Sequence, residues 1–268
     1  MGGEEANDGT GGGTGVGGWD SVGPEASGRP DGGPANGGTA GGGTAGGGTA
    51  AEPPATVSAA ELFDGLGIAY EQAFGELPGQ LAAVDWLTAR LGAGARVLDV
   101  GSGTGRPVAD LLARAGCEVT GIDVSGEMVG LAREQVPGAR FEQCDVREFS
   151  AADGSFDAVC AFFPLLMMSR AEAAASLERM AGWLAPGGYL VTATVPADVE
   201  DVVIEWMGRP VRVSSFAPEE FVRRLREDCG LDVLHQEVSV FHPKGAADEE
   251  HLFCYARRPV SSPPARDA

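Results

Sequence analysis

Residues 96–105 read Arg96-Val97-Leu98-Asp99-Val100-Gly101-Ser102-Gly103-Thr104-Gly105, a short β-rich run that stops at a cluster of glycines. The apolar half is the length of a buried strand. The glycines allow a tight turn and the close approach of a ligand that a Cβ would exclude. Amide groups at the start of the helix that follows favour an acidic group on that ligand. Two further acids fall at matching places. Asp123 closes the next strand, Glu118-Val119-Thr120-Gly121-Ile122-Asp123, where a carboxylate can accept two hydrogen bonds from ribose hydroxyls. Asp145 follows the third strand, Arg140-Phe141-Glu142-Gln143-Cys144, placed for an adenine amino group. A nicotinamide-dinucleotide site is the competing reading. Its fingerprint is Gly-x-Gly-x-x-Gly, whereas here the spacing is Gly-x-Gly-x-Gly followed by Arg106.

Outward from this turn, strands and helices alternate. Pro107 to Ala115 reads as a helix, Ser125 caps another that carries Met128 and Leu131, and Phe156–Phe162 is a fourth strand. Ser169-Arg170-Ala171-Glu172 is a capping box opening a helix through Leu177, Met180 and Leu184; Tyr189 to Val195 is the fifth strand. That alternation implies right-handed crossovers and a parallel sheet. The end of the chain differs. A helix over Pro218–Cys229 leads to the strand Val233–Phe241 and, after a turn-rich loop, to His251–Arg257, which form an antiparallel pair. Upstream, Ser58-Ala59-Ala60-Glu61 is another capping box. It opens a helix with Leu62, Leu66 and Tyr70 on one face, and a second helix follows Pro78 and stops at Gly92. The fold class is α/β, with a seven-stranded mixed sheet, helices on both faces and a helical cap at 58–92.

Composition bounds the rest. Half of the 42 glycines precede residue 57, in a tract with almost nothing to bury, so residues 1–56 are expected to form a disordered arm. Residues 57–260 are long enough for one domain with a sizeable core, and 261–268 read as a flexible tail. A formal net charge of −20 argues against a nucleic-acid partner, and no apolar run is long enough to span a bilayer. Five cysteines without a Cys-x-x-Cys pair read as free thiols of a cytoplasmic protein rather than metal ligands.

Residues 96–195 resemble the Rossmann-like (class I) S-adenosylmethionine-dependent methyltransferases of small-molecule type. The resemblance is carried by Val-Leu-Asp-Val-Gly-Ser-Gly-Thr-Gly (97–105), Val-Thr-Gly-Ile-Asp-Val-Ser (119–125), Phe-Glu-Gln-Cys-Asp-Val (141–146), Phe-Asp-Ala-Val (156–159) and Leu-Ala-Pro-Gly-Gly-Tyr-Leu (184–190). It implies the strand order 3-2-1-4-5-7-6 with the seventh strand antiparallel, and S-adenosylmethionine as cofactor with S-adenosylhomocysteine as product. It assigns Asp99 and Gly101 to the methionine moiety, Asp123 to the ribose and Asp145 to the adenine, and Met128 matches the position that packs on the adenine. Ser102, Gly103, Val124, Cys144 and Val146 complete the cofactor set. Phe162 matches a position facing both cofactor and acceptor, and Tyr70 is a candidate for the cofactor carboxylate. With the Ala-, Gly- and Arg-rich composition, the resemblance points to bacterial secondary metabolism.

The acceptor must lie beyond the carboxyl ends of the strands. Phe162-Phe163-Pro164-Leu165-Leu166-Met167-Met168 would form one wall, with Trp206 and Met207 of the 195–216 connection opposite, which suits an apolar or aromatic small molecule. Three residues are candidate general bases: His251 first, at the start of the last strand; His242 across the loop from it; and Glu205. His235, inside the sixth strand, is expected to have no role in the reaction. A protein that keeps the cofactor without methylating, as in a cyclase or a regulator, is the alternative, and a dehydrogenase the remote one. Oligomeric state is left open.

Overall fold

The structure, a computed structural model, describes residues 55–75, 77–242 and 248–260. The expected tail and all of the expected arm but its last two residues lie outside these. Nine strands form in chain order: β1 (Arg96–Val100), β2 (Glu118–Asp123), β3 (Arg140–Gln143), β4 (Phe156–Phe162), β5 (Leu184–Thr194), β6 (Val202–Trp206), β7 (Arg209–Val213), β8 (Asp232–Phe241) and β9 (Glu249–Arg257). Seven of them make one sheet in the order β3-β2-β1-β4-β5-β9-β8. The first five are parallel, and β9 runs antiparallel to both β5 and β8. With β8 and β9 as the sixth and seventh strands of that sheet, this is the expected order.

Both faces of the sheet are covered, which is why its central strands are apolar throughout rather than alternating with polar residues. Successive residues still point to opposite sides. Val97, Val119 and Cys160 join one core with helices α3 (Pro78–Thr88), α4 (Val108–Arg114) and α5 (Gly126–Gln135). Leu98, Ile122 and Val159 join the other with α6 (Arg170–Trp183) and α7 (Pro218–Glu227). Both expected capping boxes form, at Ser58/Glu61 and Ser169/Glu172.

The N-terminal cap departs from expectation. Its first helix is two: α1 (Ala59–Leu66) and α2 (Ile68–Phe74) meet at Gly67, whose φ of 49° and ψ of −132° interrupt the helix. The next helix, α3, ends at Thr88 instead of running to Gly92. The second departure is in the 195–216 connection, where β6 and β7 pair as a separate two-stranded hairpin. The hairpin packs on α1 through Leu62, Ile204, Val211 and Val213. Among the described residues no helix is long and apolar enough to cross a membrane.

Packing is tight under the glycine turn. A Cβ on Gly121 would sit 2.5 Å from Phe141 Cδ1 and 2.8 Å from Ser102 Oγ. Gly121→Ala should therefore cost about 1–3 kcal/mol through overpacking, read as a lower denaturant midpoint at unchanged slope. A wild-type midpoint would show that β2, β3 and the glycine turn are loosely joined.

Candidate active site

The site begins where β1 and β2 end side by side. Gly101, Gly103 and Gly105 adopt φ of 69°, 52° and 79°, left-handed values that L side chains rarely take. The turn folds back over β2, with the Gly101 and Ser102 amides donating to the Ile122 carbonyl at 2.8 and 3.0 Å. Asp123 then clasps it: the Gly103 amide donates to Oδ2 and the Ser125 amide to Oδ1, each at 2.9 Å. Burial raises the Asp123 carboxyl above the usual range, partly opposed by these amides.

Asp99 lies deeper. It is 2% exposed, and burial, reinforced by the charge of Asp123, pushes its carboxyl up to about 7. Its Oδ2 and the Ser102 Oγ are buried without a protein partner. Orphaned polar atoms of this kind are costly unless a ligand satisfies them. The residues Asp99 and Ser102 line a polar cavity of about 410 Å³ together with Glu71, Gln80 and Arg106.

A larger cavity of about 1050 Å³ adjoins it, sharing Tyr70, Gly101 and Phe162. One end is formed by Asp123, Val124, Cys144, Asp145 and Val146. There the Arg147 guanidinium grips both oxygens of Asp145 at 3.0 Å through Nε and holds that carboxyl below its usual range; Arg147 also pairs with Glu172. The other end is apolar, walled by Phe63, Phe163, Met167, Ile204, Trp206 and Val213. Phe63 and Trp206 lie edge to face at 6.2 Å, and Trp206 stacks on Phe74 at 5.6 Å. The residues present suit a nucleoside joined to an amino acid: acids for the ribose, the adenine and an amino group, on a turn that leaves room for the ligand.

Most expected cofactor residues thus meet around one space. Gly103 lines neither cavity; it contributes through its amide to Asp123. Met128 is a correction, since its side chain is 1% exposed within α5 and lines neither cavity. The expected bases are corrected too. His251 is buried behind the Phe163 ring, 4.6 Å between centroids; it stacks on Phe241, and its Nε2 lies 3.3 Å from Glu249. His242 is exposed and paired with Asp248 at 2.7 Å. Glu205 alternates outward on β6, while its neighbours Ile204 and Trp206 face the cavity. Met207 sits exposed at the hairpin turn with φ of 48°.

The sequence reading missed Ile204, Val211 and Val213 as lining residues, and did not single out Phe63. The apolar alternation of 202–213 around Met207-Gly208 was the available signal. It also missed two acids that fasten the cap. Asp64 accepts from the Ser125 hydroxyl and from the Glu127 amide, and Glu71 from the Thr104 hydroxyl and Gln135 Nε2.

Residues 97–188 match the family model described as "Methyltransferase domain". Among similar curated proteins, a demethylmenaquinone methyltransferase of Beutenbergia cavernae is 42% identical over 112 residues, covering 42% of this chain and 45% of that protein. A malonyl-[acyl-carrier protein] O-methyltransferase of Enterobacter lignolyticus is 35% identical over 149 residues, 54% of this chain and 57% of that one. The chain spans about half the length of the curated relatives it matches. Among solved structures, the 1,6-didemethyltoxoflavin-N1-methyltransferase of Burkholderia thailandensis superposes with a TM-score of 0.57 at 22% identity, covering 77% of this chain and 93% of that chain. The likeness at that identity is one of fold, and it matches the sheet order found here. Residues 97–188 are therefore similar to methyltransferase domains, and the sheet that carries them has the order of a methyltransferase fold.

Proposed function

We propose that the protein transfers a methyl group from S-adenosylmethionine to an apolar or aromatic small molecule in the cytoplasm. The observation that carries this reading is one continuous cavity with unlike ends: fixed acids at one, an aromatic and aliphatic wall at the other. When bound, S-adenosylmethionine supplies a methyl group on a positively charged sulfur, open to in-line displacement.

The residues of the chain position and shield. Asp123 is oriented by two amides and keeps a free lone pair on each oxygen for the ribose hydroxyls. Asp145, kept ionised by Arg147, accepts from the adenine amino group. Asp99 and Ser102 offer their unpartnered atoms to the amino group of the methionine moiety. Above them α1, α2 and the β6–β7 hairpin exclude water from the apolar end, where orientation alone is worth roughly 7–11 kcal/mol in well-aligned reactions. The five thiols are free, in keeping with a reducing compartment. The small molecules named by relatives and structural neighbours support an acceptor of that scale.

Two measurements test this. Asp123→Asn should weaken S-adenosylhomocysteine binding by roughly tenfold or more in calorimetry, since hydrogen bonds to a charged group contribute about 1.5–3 kcal/mol. Unchanged affinity in a folded variant would sink the ribose assignment. Mass detection of a methylated product alongside S-adenosylhomocysteine tests turnover; binding without methyl loss across all acceptors would instead describe a cofactor-retaining protein that does not methylate.

Asp99 gives a pH prediction. In the folded chain it holds its proton up to about pH 7, whereas an unfolded aspartate releases it near about 4. Between these values the folded state binds the extra proton, so Asp99 makes stability fall as pH rises through that window. Asp99→Asn should remove that fall and leave the apoprotein relatively more stable at pH 8 than the wild type. A cationic amino group docking there would also expel the proton. Binding of S-adenosylhomocysteine at pH 6 should then show an enthalpy that depends on the buffer, lost in Asp99→Asn. The same enthalpy in every buffer would place the amino group elsewhere.

A further inference from the structure

The apolar end of the large cavity constrains which nucleophile can be methylated there. This argument rests on the methyl-transfer reading above. Among the described residues lining the cavity, the ionisable ones are Tyr70, Asp123, Cys144, Asp145 and Arg147. Four of them stand at the nucleotide end. Asp123 is engaged by two amides, and Asp145 and Arg147 by each other, while burial raises the Cys144 thiol. Tyr70 alone stands at the junction. Burial and the charges of Asp123 and Glu249 push its phenol up to about 12, so its O–H is a hydrogen-bond donor and not a base. His251 lies behind Phe163, its partner Glu249 acts on the Tyr70 phenol without lining the cavity, and His242 points to solvent. Around the acceptor end, Phe63, Phe163, Met167, Ile204, Trp206 and Val213 carry no ionisable group, the Trp206 indole N–H being a donor only, and the charged side chain of Glu205 faces away.

Three kinds of acceptor fare differently against such a wall. A neutral amine ends the reaction as a cation, with no carboxylate among the described residues at that end to receive it, and burying an unpaired charge is costly. A neutral alcohol must shed a proton, and no described lining group at that end takes one. An oxyanion brings a negative charge beside the positive sulfur, and their attraction is strengthened by low polarity. Its reaction destroys both charges.

We infer that the acceptor is a lipophilic acid, bound and methylated as its oxyanion: a carboxylate, or a phenol or enol that is already ionised near neutral pH. A lone pair of that oxygen forms the new O–C bond to the methyl carbon, and the C–S bond breaks with its electron pair passing to sulfur. A neutral ester or ether and a neutral thioether result, and no proton is transferred. The Tyr70 hydroxyl, at the junction of the cavities, is the donor available to the approaching anion. A second consequence is order. The acid leaves water readily only once the positive charge is in place, so it binds after the donor, and its methylated product has lost the charge that held it.

The test uses the full chain and matched acid, alcohol and amine probes on naphthyl, phenylpropyl and octyl frames, each supplied with S-adenosylmethionine. Acids should be methylated at least roughly 100-fold faster than the alcohol or amine of the same frame, a discrimination of the size an unpaired buried charge enforces. Amines or alcohols turning over as well as acids, or acids as inert as the rest, would overturn the inference. Calorimetry supplies a readout independent of turnover. 2-Naphthoate should bind at least about tenfold more tightly to protein loaded with sinefungin, whose protonated amine stands in for the sulfonium, than to protein loaded with S-adenosylhomocysteine. Equal affinities, or no binding to either complex, would count against the charge argument. The two readings fail separately. If S-adenosylhomocysteine itself does not bind, methyl transfer falls; if it binds and acids are not preferred, only the acceptor class falls.

Discussion

The site depends on one carboxylate. Asp123 ends β2, and each of its oxygens accepts a backbone amide, one from the turn after β1 and one from the start of α5. Neighbouring parallel strands bring Asp99 opposite Gly121, close enough for the Asp123 charge to help hold the Asp99 carboxyl protonated. Two buried acids side by side are unfavourable without a compensating ligand or proton. The sheet tolerates them because amides hold Asp123 and a proton neutralises Asp99. The left-handed glycines follow from the same constraint, since only a backbone turned that sharply can aim the Gly103 amide at Asp123.

The same hub extends to the roof. Ser125, whose amide binds Asp123, donates its hydroxyl to Asp64 of α1, and the hydrogen bonds there hold the Asp64 carboxyl below its usual range. Glu71 of α2 reaches Thr104 of the glycine turn and Gln135 at the end of α5. Helices α1 and α2 are thus each pinned by an acid to a loop at the carboxyl edge of the sheet. The break at Gly67 lets the two helices diverge so that both can reach. Between the pins, Phe63, Tyr70, Phe74 and Trp206 pack together, edge to face at Phe63–Tyr70 and stacked at Phe74–Trp206, and aromatic pairs of this kind contribute about 0.5–1.5 kcal/mol each beyond their burial. Donor site and acceptor roof are mechanically one unit.

The sheet and the donor half were legible because their signals are local. Strand runs such as Val97–Val100, turns such as Gly101–Gly105 and capping boxes at Ser58 and Ser169 carry their meaning within a few residues. The places of Asp123 and Asp145 were readable because a residue that ends a strand, or follows it closely, has a nearly fixed position at the sheet edge. What failed was direction. His251 does lie near the start of a strand, the third residue of β9, yet whether its ring faces the cavity or the far side of Phe163 depends on packing between β9, β8 and the loop after β4. Glu205 failed for a related reason: without recognition of the hairpin there was no alternation to turn it outward. Gly67 sat within an apolar helical pattern, and the pattern continued on both sides of the break.

The acceptor end differs from the donor end in how it is built. At the donor end, backbone amides fix Asp123 and Arg147 pairs with Asp145, so substitution of Asp123 disturbs the turn after β1, β2 and the start of α5 together. At the acceptor end one side of the wall comes from β6 and β7, which form a sheet of their own and join the rest through side-chain packing on α1 and a few loop contacts, such as the Val57 amide on the Pro210 carbonyl at 3.1 Å. Alternation along those strands sends Ile204, Trp206, Val211 and Val213 inward and leaves Glu205 and Arg212 outside, so cavity shape and surface charge vary independently. Exchanging inward residues of this hairpin changes what fits beside the methyl donor without touching an atom that binds it. The division also explains why the acceptor was the hard half to read: its wall is specified by shape and low polarity, which leave no fixed residue types at fixed spacing.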